Sequence, residues 1–196
     1  MRLAVIGFSH KNTPLSLREA LAFDREKAVA IAKTLINQDV IEESMAVVTC
    51  NRTEIYSIGS CLEGIRETTY QILAETIGVD VAELTNVSYC YFEAEGLRHI
   101  FRVASSLDAM VVGEAQVLGQ FKAAYQTAVE YNTVGPYLHK ACHAAFRVAK
   151  RVRTETDVAA LPVSIGSLAI DLAIEAYPDL SRANVLLIGA GEMSSL

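Results

Sequence analysis

Two apolar runs, residues 45–48 and 55–58, close on a polar centre, Thr49-Cys50-Asn51-Arg52-Thr53-Glu54, that is poor in helix formers. Short runs of this kind around such a centre predict two strands meeting at a tight turn, with Asn51 suited to the bend. A turn there presents Cys50 to solvent. A lone cysteine is often a small buried hydrophobe; as a nucleophile it needs its thiolate, which a nearby cation favours. Arg52 stands two residues on, and Thr49 and Asn51 flank the sulfur with short hydrogen-bonding groups. The stretch therefore reads either as a nucleophile beside an anion-binding arginine or as a structural cysteine beside a solvated turn residue.

The rest of the chain places that turn. Residues 2–7 form an apolar run ending in glycine, a first strand. Ser16-Leu17-Arg18-Glu19 has the form of a capping box opening a helix, and Ala28, Ile31, Ala32 and Leu35 continue at helical spacing. After the strand pair come a helix using Leu62, Ile65, Thr69 and Ile72 and a tyrosine-rich strand at 87–92. Strand–helix–strand–strand–helix–strand is the order of a ferredoxin-like split βαβ unit, an α+β fold with the Cys50 turn at one end of its sheet. Additional helices follow: a stripe of Leu97, Ile100, Phe101 and Ala104, a second of Leu118, Phe121, Tyr125 and Ala128, a break at Gly135-Pro136, and a third helix over 137–154. The expected organisation is a catalytic domain over 1–157, a linking helix within 158–183, and a third segment at 184–196. In that last segment a buried-type strand at 184–188 feeds Gly189-Ala190-Gly191-Glu192-Met193-Ser194, the pattern of a turn that brings backbone close to a pyrophosphate. No helix or second half-fold follows it before Leu196, so the chain is expected to be truncated within a Rossmann domain.

A net charge of −6 argues against blanket nucleic-acid binding, so any RNA contact falls to a local patch. The best candidate is the excess of Lys140, Arg147, Lys150, Arg151 and Arg153 over Glu155, which a solvated helix face also explains. His139 and His143 stand four apart but lack an adjacent glutamate or a clear third ligand, so no metal is expected. Cys50, Cys61, Cys90 and Cys142 show no paired spacing, and no secretory signal opens the chain. The apolar stretch 158–170 holds Pro162 and is soon followed by Asp171 and Glu175, too short and interrupted to span a bilayer. Reduced thiols in a cytoplasmic protein are expected.

Thr49-Cys50-Asn51-Arg52-Thr53-Glu54-Ile55-Tyr56 resembles the active-site signature of glutamyl-tRNA reductases. Companions occur in the same order at Gly7-Phe8-Ser9-His10-Lys11, His99-Ile100-Phe101-Arg102-Val103-Ala104, 107–122 and 189–193. The resemblance implies an NADPH-dependent oxidoreductase that opens tetrapyrrole (porphyrin, haem) biosynthesis. In it, Cys50 takes glutamate from glutamyl-tRNA(Glu) as a thioester, which is reduced to glutamate-1-semialdehyde, with His99 as a second catalytic residue. It further implies a glutamyl site formed by Thr49, Asn51, Arg52, Ala109, Glu114, Ala115, Gln116 and Gln120, with Arg52 as a bidentate partner of the substrate carboxylate. Residues 189–194 would hold NADPH. The full-length protein would be a homodimer handing its aldehyde to glutamate-1-semialdehyde aminotransferase. Alanine stands at 109 where the family usually has serine, which deletes a hydroxyl hydrogen bond worth about 1 kcal/mol. Residue chemistry alone leaves open a non-catalytic tRNA- or regulator-binding module with a structural Cys50, and an unrelated cysteine-dependent aldehyde dehydrogenase.

Overall fold

Along the first strand, β1 (Arg2–Ser9), Leu3 and Val5 pack to one side and Ala4, Ile6 and Phe8 to the other, each set in its own apolar cluster. A strand buried on both sides needs a helical layer over each face. The computed structural model, which describes residues 1–49, 51–159, 165–177 and 186, has that arrangement. β1 leads to α1 (Leu15–Ala20), α2 (Arg25–Ile36), the hairpin β2 (Ile41–Val48) and β3 (Arg52–Gly59), α3 (Leu62–Ile77), α4 (Val81–Asn86) and β4 (Tyr89–Phe92). The sheet order is β2-β3-β1-β4, and every neighbouring pair is antiparallel. β3 is thus inserted between the parallel β1 and β2, the split βαβ arrangement.

Helices α2 and α3 cover one face, setting Ile31, Leu35, Ile65 and Leu73 against Ile6, Phe8 and Ile55. The other face carries α5 (Glu93–Ala104), α6 (Ala115–Glu130) and α7 (Pro136–Glu155), which set Ile100, Val103, Phe121, Leu138 and Cys142 against Val5, Met45 and Tyr56. A 3₁₀ turn (Asp157–Ala159) and α8 (Ile165–Ala176) follow.

Several local expectations change. The capping box does not form: Ser16 already lies inside α1, whose N-cap is Pro14. Thr13 organises that loop instead, its Oγ1 donating to the Val87 carbonyl at 2.8 Å while its own carbonyl accepts from Arg18 Nε at 3.2 Å. The helix expected from Ser16 onward is two. Leu21 and Phe23 drop into the core between them, and Asp24 caps α2 by accepting from the Lys27 amide at 2.8 Å. β2 starts at Ile41, ahead of its apolar run, because Glu43 is drawn inward to cap α7. The Glu43 carboxylate accepts the Tyr137 amide at 3.0 Å and the Leu138 amide at 2.7 Å, satisfying donors that a helix start leaves open. Of the strand expected at 184–188, Leu186 is exposed and outside any element; the remainder, and residues 189–194, lie outside the described residues. Among the described residues no helix is long and apolar enough to cross a membrane.

Candidate active site

All eight residues of β3 are buried, yet the side of the strand that faces α5 starts with Arg52 and Glu54 before it continues with Tyr56 and Ile58. A guanidinium and a carboxylate in that position need partners. Glu54 has four. Its Oε1 accepts from Arg52 Nη1 at 2.9 Å, from His99 Nε2 at 2.7 Å and from the Tyr89 hydroxyl, and its Oε2 accepts from the Tyr56 hydroxyl. Arg52 Nη2 donates to the Asp108 carbonyl oxygen and, at 3.0 Å, to Asp108 Oδ2. Lys11 Nζ at 2.9 Å and Arg102 Nη2 at 3.2 Å complete the shell of Asp108.

Gly7 makes the centre possible. It pairs with Glu54 on one side and Tyr89 on the other, and a Cβ there would sit 2.3 Å from the Tyr89 ring. The bare backbone lets that ring lie across β1 to reach Glu54. Gly7→Ala is expected to push Tyr89 aside and cost about 1–3 kcal/mol, as overpacking does, measured by urea unfolding. A change below about 0.5 kcal/mol would mean that the ring moves freely.

Burial on its own would raise the Glu54 carboxyl. The hydrogen bond and charge of His99, the charge of Arg52 and the Tyr56 hydroxyl outweigh it and hold Glu54 at about 2. Burial pushes the Tyr89 and Tyr56 hydroxyls upward, and the Glu54 charge adds to it, so both remain donors. Since ionised Glu54 only accepts, His99 Nε2 carries a proton, and exchange falls to Nδ1. The imidazole is held against the rings of Tyr91 and Tyr89, with centroids 4.6 and 5.4 Å away. His99 is 5% exposed.

At the hairpin tip, the Thr49 amide donates to the Arg52 carbonyl at 2.8 Å, and Thr49 Oγ1 accepts from the Asn51 and Arg52 amides at 3.3 and 3.2 Å. The Asn51 carbonyl accepts from the His10 amide at 3.1 Å, so the turn is tied to the end of β1. Cys50 lies outside the described residues. Half-buried His10 is held below the ordinary imidazole range by burial and then by Lys11, Arg52 and Arg18, and its Nδ1 is without a partner among the described residues. Burial raises the thiols of Cys90 and Cys142, that of Cys142 to about 12, and Cys61 is exposed.

The loop 105–114 is closed at its base and clasped at its tip. The Gly113 amide donates to the Ser106 carbonyl at 3.0 Å, Ser106 Oγ donates to the Glu114 carbonyl at 2.7 Å, and Asp108 grips Arg52. Gly113, at φ +89°, lies so close to the Val158 carbonyl that a Cβ would come within 2.0 Å of it. Ala109 packs at the edge of the core and Gln116 is exposed, while Ala115 opens α6. Glu114 is 4% exposed, burial raises its carboxyl, and its Oε2 has no partner among the described residues; Gln120 Oε1 has none either. Gln120 also borders an apolar groove of about 280 Å³ between α2, β2 and α6, whose wall includes Val48 next to the turn.

The expectation for Arg52 needs correction. Its two terminal nitrogens, which would form a bidentate clamp for a ligand carboxylate, already serve Glu54 and Asp108, because β3 turns the side chain inward. Sequence reasoning passed over Glu54, Tyr56, Tyr89, Lys11 and Asp108 as site residues. One signal was present: Glu54 shares its strand parity with Tyr56 and Ile58, so a charge fell on an apolar face. His139 Nδ1 and His143 Nε2 both bond the Tyr125 hydroxyl, at 2.6 and 3.0 Å.

Sequence comparison says whose site this is. Residues 6–156 match the family profile described as Glutamyl-tRNAGlu reductase, N-terminal domain. The chain belongs to the glutamyl-tRNA reductase family. Glutamyl-tRNA reductases of Pelobacter propionicus and Rubrobacter xylanophilus are 44% and 41% identical over 196 residues, all of this chain but only 45% and 46% of those proteins. The solved glutamyl-tRNA reductase from Methanopyrus kandleri aligns with a TM-score of 0.67 and 32% identity, covering 97% of this chain and 44% of that one. The chain thus spans less than half the length of the glutamyl-tRNA reductases it matches. The profile covers the hairpin, α5 and the loop 105–114, so the Glu54 centre lies wholly inside the family's N-terminal domain.

Proposed function

We propose that Cys50 accepts the glutamyl group of glutamyl-tRNA(Glu), in the first half of an NADPH-dependent reduction to glutamate-1-semialdehyde that opens tetrapyrrole biosynthesis. The observation that carries this reading is the buried Glu54 centre, which ties Arg52 of the turn to His99 of α5 at the base of the Cys50 hairpin.

In this reading the thiolate sulfur attacks the ester carbonyl carbon, a C–S bond forms, and the ribose oxygen leaves with a proton. His99, oriented by Glu54, handles that proton through Nδ1. Lys11, Arg52 and Arg102 face two carboxylates, Asp108 and Glu54, so the cluster holds one positive charge in excess and favours both a thiolate and the substrate's side-chain carboxylate. Arg52 contributes through this field and through its hold on the loop. Glu114 Oε2, which meets no cation among the described residues, suits the ammonium of the glutamyl group, and Gln120 Oε1 offers a second acceptor. Thr49, Asn51, Ala109, Ala115 and Gln116 are assigned to the glutamyl site on the family resemblance.

NADPH, when bound, supplies the hydride that turns the thioester into the aldehyde; the glycine pair assigned to it, Gly189 and Gly191, lies outside the described residues. The domain division at 157, a cytoplasmic homodimer and transfer of the aldehyde to an aminotransferase rest on the family resemblance. Acyl transfer needs only groups in these 196 residues, so the chain alone is expected to deacylate glutamyl-tRNA slowly.

The test is a digest and mass spectrum of the chain after mixing with glutamyl-tRNA and quenching in acid. A glutamyl adduct is expected on the peptide bearing Cys50, none on those bearing Cys61, Cys90 or Cys142, and none in Cys50→Ser. No adduct, or one on another cysteine, removes the acyl-transfer reading and favours a tRNA-binding module.

A further inference from the structure

Helices α6 and α7 are held apart by bulky rings. Tyr125 of α6 reaches His139 and His143 of α7, and Phe121 meets Phe146 edge-on at 5.9 Å. The gap on the outer side is a groove of about 490 Å³. Leu118 and Phe146 give it an apolar floor. Its rim is cationic: Lys122 from α6, then Arg147, Lys150 and Arg153 from α7, with no acidic residue lining it among the described residues. The three α7 cations recur every third residue, so they share one stripe of the helix. Arg151, off that stripe, is tied to Glu155 at 2.9 Å. In a chain of net charge −6, this groove concentrates positive charge, and among the described residues Lys122, Arg147, Lys150 and Arg153 enter no ion pair.

The groove has a direction. Glu114 is the N-cap of α6, so Leu118 stands about 6 Å and Lys122 about 12 Å along the helix from that residue, at 1.5 Å per residue. The C-terminal end of α7, which carries Arg153 and Thr154, runs into the 3₁₀ turn whose Val158 carbonyl lies against Gly113 of the loop 105–114. A strand lying in the groove therefore runs toward the loop 105–114, whose Asp108 grips Arg52.

We propose that this groove holds the single-stranded 3′ end of the acyl-tRNA, with Lys122, Arg147, Lys150 and Arg153 on its phosphates and a base against Phe146. The proposal rests on the acyl-transfer reading for its choice of RNA. An apolar, aromatic floor between cationic walls matches single strands, since bases stack on the floor while phosphates meet the rim. Lys122 already lies over the Phe146 ring, 5.8 Å from its centroid, so a phosphate that draws its ammonium outward uncovers the ring face for a base.

The test uses two charge reversals, Arg147→Glu with Lys150→Glu on α7 and, separately, Lys122→Glu on α6. Affinity for a non-acylated oligonucleotide with the tRNA 3′ end sequence is followed by fluorescence anisotropy across salt concentrations. The double variant is expected to bind at least about tenfold more weakly, and its log–log salt slope to fall by about 0.7 for each single-strand phosphate contact removed. Lys122→Glu should act in the same direction. Glutamyl transfer from tRNA should fall at least about tenfold more than transfer from a simple glutamyl alkyl ester, which has no phosphates to lose. Unchanged affinity and slope in both variants would overturn the groove while leaving acyl transfer at Cys50 standing. Absence of a Cys50 adduct in the parent, with oligonucleotide binding still lost in the variants, would overturn the acyl-transfer reading and leave the groove as an RNA site.

Discussion

Glu54→Gln is expected to cost the fold about 3–5 kcal/mol, the usual penalty for removing one partner of a buried charge pair. The substitution keeps the shape and an amide oxygen. It removes the charge that faces Arg52, a guanidinium 4% exposed and unable to lose its proton. It also gives two hydroxyls and an imidazole N–H, all now donating to carboxylate oxygens, an amide nitrogen that must donate in turn. In a chain of this size the loss corresponds to roughly 6–20 °C in Tm. A second signature distinguishes charge from packing. Glu54 is held at about 2, below its ordinary 4.5, so its stabilisation is complete above pH 4.5 and fades as pH falls toward 2. The gap in stability between parent and variant should narrow over that window. A gap that stays constant down to pH 2, or one smaller than about 1 kcal/mol at pH 7, would show that the carboxylate is not the centre of the network.

The same residue shows where a sequence stops being legible. The hairpin and β1 were readable because period and turn chemistry are local, and so were the stripes of α5 and α6 and the third helix, expected over 137–154 and observed as α7. The family resemblance named Cys50 and His99 as candidates but not what holds His99 in place. Glu54 does so, and it gathers donors from β3, β4 and α5, up to 45 positions apart in the chain. Gly7 likewise looked like the end of a strand; only the register that sets Glu54 and Tyr89 on either side of it shows why a side chain is excluded. α4 went unread because six residues are too short for a period to declare itself. Glu43 reads as a solvent residue of β2 until α7 returns its N-terminus to it. For the basic patch, the sequence supplied α7's cations together; the groove leaves out Lys140 and Arg151 and adds Lys122 from another helix.

His99→Gln and His99→Asn together are expected to slow glutamyl transfer from tRNA by about 10²–10⁴-fold, the range for losing a positioned proton carrier. The pair is chosen because His99 has two separable roles. Its Nε2–H holds Glu54 at 2.7 Å, and its ring packs on Tyr91. Glutamine can place an amide N–H where Nε2 stood and keep the bond to Glu54, but it has no nitrogen that takes and returns a proton near neutral pH. Asparagine is one carbon shorter and loses the bond as well. If His99 exchanges a proton, both variants are slow. If it only positions Glu54, glutamine keeps the parent's rate while asparagine does not. Stability separates the two again, since asparagine adds the loss of a buried charge-assisted hydrogen bond, about 1.5–3 kcal/mol, and glutamine forfeits mainly the ring contact, about 0.5–1.5 kcal/mol. A glutamine variant that transfers at the parent's rate would move the proton-handling role away from His99 and toward His10, whose Nδ1 has no partner among the described residues and whose amide bonds the Asn51 carbonyl at the turn.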